Sequence, residues 1–374
     1  MKIKRTILLI GLCLLMASTL ALAACVKCVK RTGGNGSSSP SIVDPDILYS
    51  DDPTPDEYFI FKYLSDTDSY EIKQKSMTGM PPKIVIPSTY NGKLVTSIGK
   101  DGFYNCNGLT IVSIPDSVTS IGDYAFKNCL VLKRVTIGSG VTSIGTQAFC
   151  GCERIESVSI PDSVTSIGAY AFRYCRAIKS VTIGSGVTSI GGWLFGDCVK
   201  LTNITVGEEN ENYKSIDGNL YGKDGAVLIQ YAIGKTDAEF EIPDSVTSIA
   251  KYAFHGCVNL TGVSIPDGVT SIGEYAFYGC ANLTSVSIPD GVTIIDDFAF
   301  YGCANLTSVT MGSDVRRIGR DTFYGCRALT SVTYGGTMEQ WESINKDWGW
   351  MGNAGNFTVI CAEGTIDKNG VQVA

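Results

Sequence analysis

The sequence predicts a β-rich solenoid in which parallel strands stack coil on coil, joined by short helical turns and capped at both ends. Three observations carry that prediction. Cysteines recur every 23 residues at 106, 129, 152, 175 and 198, and again at 257, 280, 303 and 326. A Phe stands three before each of them, from Phe103 to Phe323, and an Ile five before each Phe, from Ile98 to Ile318. Between these markers each unit repeats the order Leu260-x2-Val263-x-Ile265-Pro266-Asp267-x-Val269-x2-Ile272-Gly273-x3-Phe277-x2-Cys280. Self-similarity at a fixed period marks a stacked array, because one such unit cannot cover its own apolar side.

The elements follow in chain order. Lys2, Lys4 and Arg5 lead an apolar run from Thr6 to Ala24, the form of a secretory signal, so 1–24 is read as a signal peptide. Its end, Leu22-Ala23-Ala24-Cys25, resembles the bacterial lipobox, which implies cleavage before Cys25 and lipid attachment to it. An ordinary signal peptide and an uncleaved anchor are the other readings, and both leave the remainder outside the cytoplasm. Residues 25–57 form a tether, flexible through Thr32 to Pro40 and extended by the prolines and acids of Asp44 to Glu57. Residues 58–94 read as an N-terminal cap and first strand, with a hairpin over Tyr58 to Lys73.

Repeats occupy 95–206 and 242–334. Val263-Ser264-Ile265 and its copies alternate apolar with hydroxyl residues and are β-branched, hence short strands with one face inward. Pro266-Asp267-Gly268 ends the strand as a turn, and Glu274-Tyr275-Ala276-Phe277 has room for one turn of helix. Residues 207–241 interrupt the array. There Asn219-Leu220-Tyr221 and Val227-Leu228-Ile229 flank Gly222-Lys223-Asp224-Gly225, a hairpin signal, and the segment is expected to project as an island. It serves either as a contact surface or as a spacer. Residues 335–374 read as a C-terminal cap with a short helix over Met338 to Ile344, a final strand over Phe357 to Cys361, and Trp341, Trp348 and Trp350 as a lid.

With its nine units and their Val-Thr-Ser-Ile-Gly and Ala-Phe-x-x-Cys segments, the chain from Lys83 to Tyr334 resembles the BspA-like leucine-rich repeat proteins. The resemblance implies a leucine-rich repeat solenoid on a surface-exposed or secreted protein. Several members of that family act as adhesins for host matrix proteins or other cells.

Chemistry narrows the function further. A net charge of −7 argues against nucleic acid, since a phosphate-tracking protein needs a basic face. The single His255 stands where other units carry Tyr104, Lys127, Arg173 or Tyr278, a variable and outward slot, so no serine finds a base there. Asp116, Asp162, Asp244, Asp267 and Asp290 follow prolines as turn residues. The cysteine column reads as unpaired buried thiols, because in-register side chains run parallel and too far apart to bridge. Cys150-Gly151-Cys152 lacks the partners of a zinc set. No catalysis, cofactor or metal is expected.

What remains is surface. Tyr278, Tyr301 and Tyr324 share one slot in three consecutive coils and form a stripe that either recognises a partner or covers the neighbouring coil. Tyr221 and Lys223 on the island, and Lys133, Arg134 and Lys179 on the Ser/Thr strand face, complete the candidate contacts. The expected protein is lipid-anchored at the cell surface and binds an extracellular protein or glycan, a host matrix protein among the options. A structural or spacer role in the envelope is the alternative.

Overall fold

The computed structural model describes residues 51–76 and 79–373, so Cys25, the signal segment and most of the tether lie outside the described residues. Numbering the coils by their ladder Phe, coil 1 carries Phe103, coil 5 Phe195, coil 6 Phe254 and coil 9 Phe323. Each coil supplies two short strands, one to each of two parallel faces. On the first face Ser157–Ile160 pairs with Ser180–Ile183, and that strand with Asn203–Val206. On the second, Ser-Ile dipeptides pair in series, as Ser143–Ile144 with Ser166–Ile167 and then Ser189–Ile190. Partners are equivalent slots of successive coils, Val158 opposite Val181 and Ser159 opposite Thr182, so like side chains stack in columns. The alternation works as a strand period: Val158 and Ile160 are buried while Ser157 and Ser159 are exposed.

The third side of each coil differs from the sequence expectation, for it holds no helical turn. Tyr275 and its equivalents, Asp101, Tyr124, Gln147, Tyr170, Trp193, Tyr252, Phe298 and Asp321, all have φ between 51° and 65°. The residue before each ladder Cys is left-handed as well, from Asn105 at 56° to Gly325 at 76°. Two left-handed residues four apart break the φ/ψ run that a helix requires. The freed N–H groups turn along the solenoid axis instead. Phe277 donates to the carbonyl of Ala299 at 2.7 Å, and Tyr275 and Gly279 donate to Asp297 and Tyr301 at 3.0 and 2.8 Å.

Inside, the Phe column stacks ring on ring, with centroids 5.1 Å apart for Phe103–Phe126 and Phe126–Phe149, and 5.0 Å for Phe277–Phe300. The cysteines beneath are buried and unpaired. Seven of the nine thiols donate to the ladder-Phe carbonyl of the preceding coil, as Cys129 to Phe103 at 3.1 Å and Cys303 to Phe277 at 3.3 Å, while Cys106 at the first coil donates to Gln74 Oε1 instead. A small, weakly donating hydrophobe suits that position. Burial raises the Cys175 and Cys303 thiols far above the ordinary range, so they stay protonated and unreactive.

The island does not project. Tyr213–Ile216, Asn219–Gly222 and Val227–Gln230 form an antiparallel meander whose last strand pairs parallel with Ser248–Ile249 of coil 6. Asp224-Gly225 makes the hairpin turn, with Gly225 at φ 83°. The meander is an irregular coil set into the stack, because Leu220, Tyr221, Leu228 and Tyr231 all point inward. Tyr231 occupies the place of a ladder Phe, 5.3 Å from Phe254. Both parallel faces are interrupted at this level, and the buried side chains separate into two clusters on either side.

The ends are closed. At the N-terminus Phe59–Leu64 and Ser69–Gln74 pair as a hairpin whose second strand lies parallel to Lys93–Ile98. At the C-terminus helix α1, Met338–Ser343, begins with a Thr337/Gln340 capping box and buries Trp341. Thr358–Cys361 is not the last strand, since Gly364–Asp367 and Gln372–Val373 add to it antiparallel. Between them runs a degenerate tenth coil: Asn345–Lys346 pairs with Arg317–Ile318, and Gly349 and Asn353 take the two left-handed positions. Trp350 lies against Trp341 and Phe357, but Trp348 is 81% exposed and is no part of a lid.

Candidate binding surface

The tyrosine stripe is real but closed. His255, Tyr278, Tyr301 and Tyr324 stack face to face, with centroids 4.9, 4.8 and 4.9 Å apart and planes within 9°. A second column beside it stacks Trp193, Tyr252, Tyr275 and Phe298 at 4.6, 5.1 and 4.7 Å. The Arg320 guanidinium caps Phe298 at 4.7 Å, and the Tyr324 hydroxyl accepts from Asn353 Nδ2 at 2.6 Å. Ring faces are therefore spent on neighbouring coils, each stack adding roughly 0.5–1.5 kcal/mol beyond burial. Only edges and hydroxyls of these half-buried tyrosines reach solvent, which removes sugar stacking as a use for Tyr278, Tyr301 and Tyr324.

His255 is corrected as well, since it is 8% exposed rather than outward. Trp193 covers one side of it at 4.3 Å and Tyr278 the other. Burial pulls its pKa down to about 4, opposed by Asp197 and assisted by Arg173, so the imidazole is neutral at pH 7.

Trp193 depends on one glycine. The slot that holds Arg173, His255 and Tyr278 elsewhere is Gly196 here, and a Cβ on it would lie 2.0 Å from Trp193 Nε1. Gly196→Ala is therefore expected to displace the indole, costing about 1–3 kcal/mol by overpacking. Tryptophan fluorescence and a denaturation midpoint check it; unchanged values for both would refute the fit.

Of the island candidates, Tyr221 is completely buried and presents nothing to a partner. Lys223 is exposed along its length, yet its Nζ donates to the carbonyls of Asn210 and Glu208 and pins the loop before the meander. Neither forms a contact patch.

The strand face brings the remaining candidates together. Lys133 and Arg134 are exposed two coils before the exposed Lys179, with Glu156 on the coil between them and Lys200 next along the chain. Lys179 pairs with Glu156 at 3.1 Å. That carboxyl is held below its usual range by Lys179 first, then by Lys200 and Lys133. Several cations thus surround one carboxylate on a chain whose net charge is acidic. Beside them Arg134–Thr136 and Ser157–Ile160 fail to pair, and the first face opens into a groove of about 340 Å³ lined by Val135, Thr136, Ile137, Ser139, Ser159 and Pro161. Sequence reasoning found the cations but not the groove, which no local residue pattern announces. Elsewhere, threonine hydroxyls are tied to the backbone, as Thr142 Oγ1 to Thr119 O at 3.0 Å and Thr165 to Thr142 at 3.1 Å.

Comparison with known proteins agrees with this geometry. The model of the BspA type leucine rich repeat region matches six copies over residues 96–222 and 235–344. A leucine-rich repeat protein from Eubacterium ventriosum is 26% identical, with a TM-score of 0.66 over 80% of this chain and 83% of that one. A leucine rich cell surface protein from Faecalibacterium prausnitzii is 30% identical over 80% of this chain and 99% of that one, with a TM-score of 0.45. The pneumococcal vaccine antigen PcpA shares the fold at 19% identity, with a TM-score of 0.54 over 82% of this chain and 96% of that one. No curated protein matches the chain. With more than half its length matched repeat by repeat, the chain belongs to the BspA-type leucine-rich repeat family, a bacterial surface-type family.

Proposed function

We propose that this protein is a non-catalytic surface protein, held by lipid on Cys25, that binds an extracellular protein or glycan through the strand face of coils 3 to 5. The observation that carries the reading is the basic cluster of Lys133, Arg134, Lys179 and Lys200 beside the groove at Val135 and Ile137. A local positive patch on an acidic chain steers anionic partners while the remaining surface repels them. The partner chemistry that fits is a protein or glycan bearing carboxylate or sulfate groups. Several exposed cations on a rigid sheet give modest individual contacts that add over an extended surface.

Immobilised binding of residues 29–374 to a panel of matrix proteins and acidic glycans tests this, at low and physiological salt. Saturable binding at physiological salt is expected, and Lys133→Glu with Arg134→Glu and Lys179→Glu should weaken it by about tenfold or more. Binding that the triple charge reversal leaves unchanged would remove the strand face as the site. No saturable binding at physiological salt would favour a spacer role in the envelope.

A further inference from the structure

The junction between coil 5 and the island contains a cavity that the strand-face reading does not use. In each of coils 1 to 4 and 6 to 9 three N–H groups donate to the next coil: at the slot two before the ladder Phe, at the Phe itself and before the Cys. Coil 4 makes all three, from Tyr170, Phe172 and Tyr174 to Gly192, Leu194 and Gly196 at 2.9 to 3.1 Å. Coil 6 makes them from Tyr252, Phe254 and Gly256. In coil 5 the N–H groups of Trp193, Phe195 and Asp197 have no acceptor among the described residues, because the meander displaces the coil that would supply one. Trp193 Nε1 and the Tyr231 hydroxyl are likewise buried without a hydrogen-bond partner.

Two of these residues, Trp193 and Phe195, line a cavity of about 200 Å³ together with Leu194, Leu220, Ile229, Gln230 and Lys251. Ile190 completes the apolar wall. Buried N–H groups are almost always satisfied, so donors without acceptors beside an open space call for an occupant. That occupant must be an acceptor. A carboxylate is acceptor-only, and Lys251 at the rim supplies a counter-charge that it now shares with Glu274. The apolar wall adds a second requirement, because water alone satisfies the donors but gains nothing from Ile190, Leu220 and Ile229.

We propose that this cavity binds a short-chain aliphatic carboxylate, its oxygens accepting from the Trp193 and Phe195 N–H groups and its tail lying against Ile190, Leu220 and Ile229. The ligand would take the place of the missing coil contact and tie the two halves of the stack together. Binding to the folded state alone raises the melting temperature in a saturable manner.

The test is thermal denaturation and calorimetry of the mature chain with sodium acetate, propionate and butyrate, against sodium chloride at matched ionic strength and 1-butanol. Saturable stabilisation by the carboxylates is expected, tightest for a longer tail, with a Kd of about 1 mM or below for a ligand of this size. Chloride and butanol should give none. Lys251→Met should weaken binding about tenfold. Ile229→Phe should fill the space and abolish binding while the chain melts no lower than unliganded wild type. Amide exchange at Trp193 and Phe195 should slow only with carboxylate present. Three results would overturn the proposal: no saturable effect up to about 50 mM, an equal effect from butanol or chloride, or unaltered butyrate binding in both variants.

Discussion

Phe277→Ala is expected to lower the unfolding free energy by about 4 kcal/mol, with the loss confined to coils 6 to 9. Phe277 is fully buried and stacks on Phe254 at 4.7 Å and on Phe300 at 5.0 Å. Truncation removes both stacks and leaves a cavity that neighbouring rings cannot fill, since each is fixed by its own coil-to-coil N–H bonds. Confinement follows from the junction. Coil 5 makes none of the three axial bonds there, and the core divides at the same level. In a stacked array, energy passes only between neighbours, so a weak interface separates cooperative units. Urea unfolding gives the magnitude, and hydrogen exchange gives the location. Equal loss of protection in 95–206 and in 242–334 would show that the junction transmits folding after all.

Acidification should destabilise the protein through His255 by about 2 kcal/mol between pH 7.5 and pH 5. The ordinary pKa of 6.5 describes the unfolded chain, and burial lowers the folded value to about 4. Above 6.5 both states are neutral and the group has no pH effect. Between 6.5 and 4 the unfolded chain binds the proton and the fold does not, so stability falls as pH falls. Below 4 both states are charged and the loss levels off near about 3 kcal/mol. Carboxylates such as Asp162 and Glu156, held low by Ser185 and Lys179, push in the same direction. The difference between wild type and His255→Gln isolates the imidazole. Parallel stability–pH curves for the two would show that His255 carries no such penalty.

Much of this architecture is legible in the sequence because a solenoid repeats its physics. A strict spacing of Phe103, Phe126 and Phe149 can be satisfied only by stacking equivalent slots, and the Val-x-Ile alternation names the inward face. What stayed hidden depends on contacts the repeat does not encode. Glu274-Tyr275-Ala276-Phe277 has helix-compatible composition, but axial hydrogen bonds to the next coil outweigh local propensity and hold Tyr275 left-handed. Tyr221 reads as a contact residue on a projecting hairpin, since nothing local announces that its meander lies in the stack. The outward slot of His255 is closed by Trp193, which is 62 positions earlier and reaches it only because Gly196 leaves room. The tenth coil escaped because Lys346, Met351 and Ala354 stand where the repeat carries Ile318, Phe323 and Cys326, and only its Asn345–Lys346 pairing and the left-handed Gly349 and Asn353 keep the pattern. Lys133, Arg134 and Lys179 are exposed, as their strand slots imply, because a charged residue on an outward strand slot has nowhere to go but solvent.

The axial N–H bonds have a mechanical meaning. Bonds such as Phe126 to Ala148 at 2.7 Å and Phe149 to Ala171 at 2.8 Å run parallel to the long axis, with strands lying across it. Tension between an N-terminal attachment and a partner on coils 3 to 5 would load each row in turn, as a zipper is loaded, whereas strands pulled lengthwise share the load across a whole ladder. Such a chain yields one coil at a time at low force, lengthening under drag instead of snapping free. With attachment and partner placed as proposed, only the coils between them would carry the tension, and those beyond the meander would remain slack and folded.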